Sequence, residues 1–391
     1  MRYGLWMHGL GKSPESAAGK LADAGFTTVV CSKSQVGLVR SKGMDAFVSS
    51  GSFRGPDFTG DEYLAQDCFG RPQHWFYSTC PTRDDVRAYN LDQIRKLAKE
   101  PGLSGILLDG ARFASPASSP LNKEETDPSP EKLHLTGMES FFTCFCPSCC
   151  RKMKEMGYEA EKIRPAVQAL ARLLGCGDGK KATKKEVLEG LPRIQEWLDF
   201  RRRSSVEHLL NFVRTVKETN PDLAAGAYLF TPSLSDLVGQ HYPDLAGRLD
   251  LVCPMIYRDY LDPDGPACLN VETAVMARQI DGSGQFTKEE RDALMKAVTG
   301  LDTSSYKTWQ DLFRDGYQPS VVKDETQRAA LRLGSKRAST GLVPIIQIDD
   351  PKLDTSVKAA FSGGADAVNF FVYYDDWMDR WTDFFKSCRQ A

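Results

Sequence analysis

Three acidic residues each follow a short apolar run, at positions where strands of a sheet would end. Asp109 closes the run Gly-Ile-Leu-Leu-Asp, Asp259 closes Pro-Met-Ile-Tyr-Arg-Asp, and Asp349 closes Ile-Ile-Gln-Ile-Asp. A pair of carboxyl groups can hydrolyse a glycosidic bond, because one protonates the leaving oxygen and the other attacks the anomeric carbon or activates water. The pattern predicts this chemistry, with Asp109 as nucleophile or base and Asp259 as the preferred acid, ahead of Asp349.

Other interpretations of the acidic residues stay open. Asp350 and Glu139 are further candidates for the acid, although Asp350 precedes a proline and is a natural helix start. Asp259 could instead pair with the arginine before it, and Asp109 could simply cap a turn. If Asp109 is the nucleophile, we expect Arg112 to keep its carboxylate ionised by charge pairing.

Aromatic, amide and basic side chains lie near the same predicted strand ends or in the long loops beside them. Aromatic faces pack against the apolar faces of pyranose rings, while amide and guanidinium groups hydrogen-bond to sugar hydroxyls. Each of these side chains also has an ordinary structural role open to it, as a loop residue or a core residue. The residues predicted to bind substrate are His8, His74, Trp75, Arg112, Tyr228, Tyr257, Arg258, Gln347, Asn369 and Tyr373.

Four of the eleven cysteines are packed together in the segment Cys-Phe-Cys-Pro-Ser-Cys-Cys. Cys144, Cys146 and Cys149 have the Cys-x-Cys-x-x-Cys spacing from which three thiolates can converge on zinc. The fourth ligand would be Cys150 or the distant Cys80. We expect such a zinc to be structural, because catalytic zinc keeps an open position and uses histidine or carboxylate ligands. Free thiols, or a disulfide from Cys80 to this segment, are the alternatives.

Eight apolar segments along the chain have the length and composition of buried strands, and helical patterns separate them. This alternation is typical of βαβ units and predicts a (β/α)8 barrel with long βα loops and helical insertions. The predicted strands are 4–8, 27–31, 44–48, 105–108, 224–230, 249–257, 342–348 and 367–373. We expect one catalytic barrel over 1–391, with insertions at 50–83, 114–190 and 262–340, and with the carboxyl ends of all strands on one face.

The composition excludes several classes of function. The chain has 391 residues, 26% of them charged, and a formal net charge of -2, which gives no electrostatic case for binding nucleic acid. No apolar run has membrane-spanning length, and the first residues lack the pattern of a signal peptide. We therefore expect a cytoplasmic protein, or a secreted one if a leader has been removed. The motifs of phosphate-binding loops, dinucleotide sites, serine hydrolases and zinc proteases are missing, so catalysis is expected to need no cofactor.

Several short motifs follow one another in an order that resembles a known group of families. These are the TIM-barrel families classed as glycosyl hydrolase-like, which are distantly similar to the α-amylase and α-galactosidase clans. The similarity spans roughly residues 1 to 385. The motifs are Cys-Pro before an amphipathic helix (80–99), Gly-Ile-Leu-Leu-Asp-x-x-Arg-Phe (105–113), Cys-Phe-Cys-x-x-Cys (144–149), Pro-Met-Ile-Tyr (254–257) and Gly-Ala-Asp-Ala-Val-Asn (364–369).

The resemblance implies roles for two of the acidic residues. In those clans the aspartate after the fourth strand is the nucleophile, which corresponds to Asp109. The α-galactosidase-like clan has its acid/base after the sixth strand, which corresponds to Asp259. The α-amylase clan has a glutamate after the fifth strand, but here that segment is Tyr-Leu-Phe-Thr-Pro (228–232). The missing glutamate argues against an amylase-type triad.

Three functional hypotheses follow from these residues. The first is a glycoside hydrolase that acts on an oligosaccharide or glycoconjugate by the two-carboxylate mechanism. The second is a carbohydrate-binding barrel that has kept the pocket and lost the acid. The third is a metal-dependent hydrolase. A carbohydrate is the expected partner in the first two, whereas neither nucleic acid nor a membrane is expected in any of them.

Overall fold

The fold is built around eight parallel strands. The computed structural model describes residues 4–75, 78–118, 138–259 and 267–376. All eight predicted strands are present, with ends shifted by a few residues. They are β1 Gly4–His8, β2 Thr28–Val30, β3 Asp45–Gly51, β4 Gly105–Asp109, β5 Ala224–Phe230, β6 Leu251–Met255, β7 Ile345–Gln347 and β8 Ala367–Phe371.

The strands close into a barrel. Each pairs in parallel with the next along the chain, β8 returns to pair with β1, and β6 meets β7 through Met255 and Ile345. The short strand Gly341–Leu342 adds to the edge of β6. The rings of Trp6 and Phe47, on two strands that are not neighbours, lie 4.8 Å apart across the interior. The predicted (β/α)8 barrel is therefore confirmed.

Alternation along β4 decides which of its side chains enter the barrel. Residues 106–108 are almost completely buried, because one face of the strand lines the interior and the other packs against helices. Successive side chains point to opposite faces, so Leu107 and Asp109 share the inner face. Gly226 lies opposite Leu107, and a Cβ atom there would approach the Leu107 Cδ2 atom to 2.6 Å. Because Gly226 has no side chain, Leu107 has room in the interior of the barrel.

Helices surround the barrel and fill the long connections. The longest, α6, begins after Thr183, whose side chain accepts from the Glu186 N–H in a capping box. The helices are α1 Pro14–Ala24, α2 Val36–Ser41, α3 Asp84–Leu97, α4 Pro147–Glu155, α5 Ala160–Leu173, α6 Lys184–Thr219, α7 Pro232–Ser235, α8 Tyr242–Leu245, α9 Leu269–Gly282, α10 Lys288–Thr299, α11 Trp309–Asp315, α12 Ser320–Leu333 and α13 Leu353–Ser362.

The segments predicted as insertions lie between β3 and α3, between β4 and β5, and between β6 and β7. The first contains a small antiparallel pair, Ala65–Gln66 with Pro72–Gln73. None of the helices in the described part of the chain is long and apolar enough to cross a membrane.

Candidate active site at the barrel mouth

Side chains from opposite sides of the barrel meet at its carboxyl-terminal end. His8 ends β1, and its Nδ1 atom lies 3.2 Å from the hydroxyl of Tyr228 on β5. That hydroxyl also bonds to Ser49 of β3, and the charge of Asp109 at the end of β4 acts on it. Burial lowers the pKa of His8 to about 4, so the imidazole is neutral at ordinary pH. These four residues form the polar floor of the mouth.

Aromatic side chains form one wall of the same mouth. The ring of Phe371, at the end of β8, lies 5.3 Å from His8 and 5.9 Å from Tyr257. Tyr257 is buried, which raises the pKa of its hydroxyl, and the negative charge of Asp109 adds to this rise. The backbone N–H of Tyr373 donates to the His8 carbonyl oxygen at 2.9 Å and ties the chain after β8 to β1. The mouth therefore combines one carboxylate with an imidazole, three hydroxyl groups and aromatic rings.

Asp109 is half-buried at the end of β4. Burial raises its pKa, and the positive charges of Arg54 and Arg112 lower it only in part. This balance differs from the expectation that Arg112 keeps the carboxylate ionised, because desolvation is the larger effect. Of the two arginines, Arg54, in the loop after β3, lowers the pKa of Asp109 more.

Arg112 is a buried packing residue as well as a charge near Asp109. Its guanidinium lies 4.7 Å from the Trp75 ring and 4.5 Å from the Phe230 ring, and it donates to the Phe113 carbonyl oxygen at 3.0 Å. Trp75 is only 1% exposed. The structure therefore departs from the prediction that Trp75 and Arg112 contact a sugar, because the two side chains cover each other.

Asp259 lies just beyond β6 and is partly buried. Burial raises its pKa to about 6, helped by the nearby negative charges of Asp350 and Asp349 and opposed by Arg258. The Arg258 guanidinium lies 3.0 Å from an Asp259 carboxylate oxygen. A carboxyl group with this pKa carries a proton at mildly acidic pH, as a general acid must.

Arg258 and Asp350 form a buried ion pair that supports Asp259. The Arg258 Nε atom donates to Asp350 at 2.9 Å, a second bond joins the same two groups, and another nitrogen donates to the Tyr317 carbonyl oxygen. Asp350 also accepts from the Ser356 hydroxyl. Arg258 was predicted to bind substrate and Asp350 was a candidate acid, but these bonds give both a structural role.

The other candidates lie in more varied surroundings. Asp349 is exposed, with its charge near Asp259. Glu139 lies near Cys176, whose pKa is raised mainly by burial and then by the negative charge of Glu139. His74 is exposed in the loop between β3 and α3. Gln347 ends β7 on the inner face. Asn369, on β8, is fully buried one layer below Phe371, and its amide atoms have no hydrogen-bond partner among the described residues.

A cluster of four buried cysteines, Cys80, Cys144, Cys146 and Cys149, lies between the loops that follow β3 and β4. We call it the thiol cluster. Its four sulfur atoms all lie within 4.8 Å of one another, and the Cys80 sulfur is 3.2 Å from that of Cys146. A tetrahedral zinc site with Zn–S of about 2.3 Å places its sulfurs about 3.8 Å apart. The thiol cluster fits such an ion in ligand type, number and spacing.

Cys150 lies outside the thiol cluster, contrary to its place in the predicted ligand set. Its sulfur donates to the Phe145 carbonyl oxygen at 3.4 Å, because it lies one residue beyond Cys149 on α4 and points to another side of the helix. Cys80, the alternative left open by the sequence, takes the fourth position. A cleft of about 590 Å³ lies next to the thiol cluster and is lined by Cys146, Arg83 and Asp84 among other residues.

Sequence reasoning missed three charged residues near the site. Arg54 acts on Asp109, and Glu272 is a fully buried acid on α9 that accepts from the Ser115 hydroxyl at 2.6 Å. Arg201 is fully buried on α6. A signal was available for Glu272, since it interrupts the apolar run Leu-Asn-Val-Glu-Thr-Ala-Val-Met. Arg54 and Arg201 lie in segments of the sequence with other polar residues, where an arginine gives no signal of a buried role.

Known structures with the same fold were found by comparison. A beta-galactosidase from the Antarctic haloarchaeon Halorubrum lacusprofundi has a TM-score of 0.55 and 15% identity, over 95% of this chain and 53% of that one. The PgaB glycoside hydrolase domain from Bordetella bronchiseptica has a TM-score of 0.54 and 13% identity, over 99% and 98%. The catalytic domain of a beta-amylase from Paenibacillus polymyxa has a TM-score of 0.51 and 10% identity, over 98% of each.

These comparisons confirm the resemblance to TIM-barrel glycoside hydrolases at the level of the fold. No protein-family model and no curated protein matches the sequence. The chain spans a little over half the length of two of the beta-galactosidases it is similar to, 53% and 59%. It spans nearly the whole of the PgaB and beta-amylase domains. The protein thus has a (β/α)8 barrel of the type that glycoside hydrolases use.

Proposed function

We propose that this protein is a glycoside hydrolase in which Asp109 and Asp259 are the two catalytic carboxyl groups. The observation that carries the proposal is the position of Asp109 at the carboxyl end of β4, beside the contact that His8 and Tyr228 make across the barrel mouth. Burial raises the pKa of Asp259, just beyond β6, to about 6, which supports its role as the acid. Active sites of (β/α)8 barrels are built at this end. The glycoside hydrolases that share the fold support the class of reaction, and a carbohydrate is the corresponding substrate.

Each carboxyl group has one step in the proposed reaction. Protonated Asp259 donates its proton to the glycosidic oxygen, which leaves as an alcohol. Ionised Asp109 either bonds to the anomeric carbon, with water later breaking that bond, or removes a proton from the water that attacks. Arg54 and Arg112 favour the ionised form of Asp109. Tyr228 and His8 line the mouth beside it, where they can hydrogen-bond to a sugar hydroxyl.

The proposal is tested with a panel of aryl glycosides and natural glycans. Asp109→Asn is expected to fold normally and to lower hydrolysis at least about 1,000-fold, since no carboxylate remains to attack or activate water. Asp259→Asn should retain activity on substrates whose leaving group needs no proton. Asp354→Asn is the matched control and should hydrolyse normally, because the Asp354 side chain on α13 is 50% exposed and pairs only with Lys358 among the ion pairs of the described residues.

Two results would separate the alternatives. Unchanged turnover in Asp109→Asn would remove this residue from the mechanism. Glycan binding by the unaltered protein without any turnover would support the carbohydrate-binding barrel in place of the hydrolase. The product anomer, followed by NMR, reports whether Asp109 acts as a nucleophile or as a base.

We also propose that the thiol cluster holds one structural zinc ion. Four sulfur ligands fill a tetrahedral zinc site and leave no position for water, which is why we assign the ion to structure and not to a metal-dependent hydrolysis. The ion would join the loop after β3 to the loop after β4 through Cys80. One zinc per chain is expected by elemental analysis under reducing conditions. Cys146→Ser should lose most of the zinc and unfold at a lower temperature, whereas Cys253→Ser, which alters a buried cysteine outside the thiol cluster, should keep it.

A further inference from the structure

The loop after β3 begins with a turn in an unusual backbone conformation. Phe53 has a φ angle of 55°, in the left-handed region that a bulky residue rarely adopts. Its side chain is completely buried, and its ring lies 4.6 Å from the ring of His208 on α6. Such a conformation persists only where the surrounding structure enforces it, and it is concentrated at functional sites. The contacts of this turn show what holds the conformation and what the conformation positions.

The side chain of Asn90, on α3, holds the turn through two hydrogen bonds. Its Oδ1 atom accepts from the Phe53 N–H at 2.7 Å, and its Nδ2 atom donates to the Arg54 carbonyl oxygen at 2.7 Å. The Phe53 carbonyl oxygen accepts from both the N–H and the hydroxyl of Thr79, at 2.7 and 2.8 Å. Asn90 and Thr79 are both buried. The four bonds together fix the backbone of Phe53 and Arg54.

The turn directs the Arg54 side chain back over the end of β3. A Cβ atom on Gly51 would collide with the Arg54 Nε and Nη2 atoms, so the guanidinium fills the space that a side chain at this position would take. Gly51 is the register partner of Asp109 on β4, so both positions face the barrel interior. Neighbouring strands lie about 4.8 Å apart, which puts the guanidinium next to the Asp109 side chain. The Ser52 N–H donates to the Asp109 carbonyl oxygen at 2.8 Å and joins the turn to β4.

We infer that Asn90 and Gly51 position the Arg54 guanidinium beside the proposed nucleophile or base, Asp109. The catalytic purpose of this arrangement rests on the proposed function. Asn90 sets the path of the backbone, and the missing side chain of Gly51 leaves room for the guanidinium. Asn90 and Gly51 are positioning residues, because they act on the carboxyl group through Arg54.

The charges around Asp109 give this position its effect. The positive charge of Arg54 lowers the pKa of Asp109 against the effect of burial, and it does so more than that of Arg112. The other titratable groups at this end of the barrel are uncharged near neutral pH, because burial raises the pKa of the two phenols and lowers that of the imidazole: Tyr228, Tyr257 and His8. Displacement of the Arg54 guanidinium is therefore expected to make Asp109 harder to ionise.

The test is a titration of the Asp109 carboxyl group by ¹³C NMR. The full chain is labelled at the aspartate carboxyl carbons, and the signal is assigned from Asp109→Asn. Arg54→Met removes the charge and should move the midpoint about 1 pH unit upward. Asn90→Ala and Gly51→Ala keep Arg54 but displace it, so each should move the midpoint in the same direction by a smaller amount. The fall of kcat/KM on the acidic side should move in the same order.

A double-mutant cycle separates positioning from a general loosening of the fold. In the Arg54→Met background, Asn90→Ala and Gly51→Ala should cause no further shift of the midpoint, because the group that they position has gone. Asn270→Ala is the matched control. Asn270 is also fully buried on a helix, and its amide donates to the Phe313 carbonyl oxygen at 2.8 Å. This variant should lower thermal stability and leave the Asp109 midpoint unchanged.

The outcomes distinguish this inference from the proposed function. The inference is wrong if Arg54→Met or the two positioning variants leave the Asp109 midpoint unchanged, or if the positioning variants shift it equally without Arg54. If the midpoints shift as expected but no glycoside is cleaved, the positioning of Arg54 stands and the proposed function fails. If Asn90→Ala does not fold, Gly51→Ala gives the same comparison, because the atoms nearest to its new Cβ all belong to the flexible end of Arg54.

Discussion

At the scale of single residues, the barrel raises the pKa of both proposed catalytic acids. Burial is the largest cause for Asp109 and for Asp259. The two differ in their neighbours: Arg54, Arg112 and the Gly110 N–H oppose the rise in pKa at Asp109, whereas the charges of Asp350 and Asp349 add to the rise at Asp259. The environment of Asp259 is thus the better suited to holding a proton, which is the basis for its assignment as the acid.

The pH dependence of hydrolysis follows from these directions. Asp259 must be protonated to act, so kcat/KM is expected to fall as the pH rises through about 6. Asp109 must be ionised, so the rate is also expected to fall toward low pH, at a pH above that of an ordinary aspartate. Asp259→Asn should abolish the fall on the alkaline side with an activated substrate. A rate that stays constant from pH 5 to 8 would contradict the assignment.

At the scale of secondary-structure elements, long-range contacts hold the loops that carry the site. The loop after β6 is fixed to the loop after β7 by the pair of Arg258 and Asp350. The loops after β3 and β4 meet at the thiol cluster. Each connection ties residues far apart in sequence, so the mouth has a defined shape although it is built from loops.

The ion pair between Arg258 and Asp350 is expected to be important for stability. Arg258→Met would leave Asp350 buried without its cation and should lower the free energy of unfolding by about 3–5 kcal/mol. Arg314→Met is the control, because Arg314 pairs with Asp311 and Asp315 on the exposed surface of α11. Urea unfolding at pH 7 measures both variants. Equal stability of the two would show that Asp350 is compensated in another way.

At the scale of the whole molecule, the barrel depends on close packing of its interior. Gly226 faces Leu107 and Leu251, and a Cβ atom there would lie 2.6 Å from the Leu107 Cδ2 atom. Gly226→Ala should therefore lower the free energy of unfolding by about 1–3 kcal/mol. Gly282→Ala, at the end of α9, meets no atom within 4 Å and should raise it by about 0.4–1 kcal/mol. Thermal and urea unfolding would contradict this if both variants shifted alike.

The sequence alone determined the barrel and the position of Asp109 in it. Eight apolar runs of strand length, separated by helical patterns, leave little choice of fold, because parallel strands must be buried on both faces. The period of two along β4 then places Asp109 at the mouth. The apolar runs and the alternation along β4 depend only on residues close together in the sequence, so they can be recognised without a structure.

Only the tertiary structure decided which side chains meet. Arg258 pairs with Asp350, 92 residues further along the chain, and the sulfur of Cys80 contacts that of Cys146, 66 residues further along. Trp75 turned out to be buried under Arg112 instead of open to a sugar, because the loop after β3 folds inward. Such contacts depend on the paths of long loops and on the desolvation of each charge. Loop paths and desolvation leave no periodic signal in the sequence. The fold could therefore be predicted from the sequence, whereas much of the site could not.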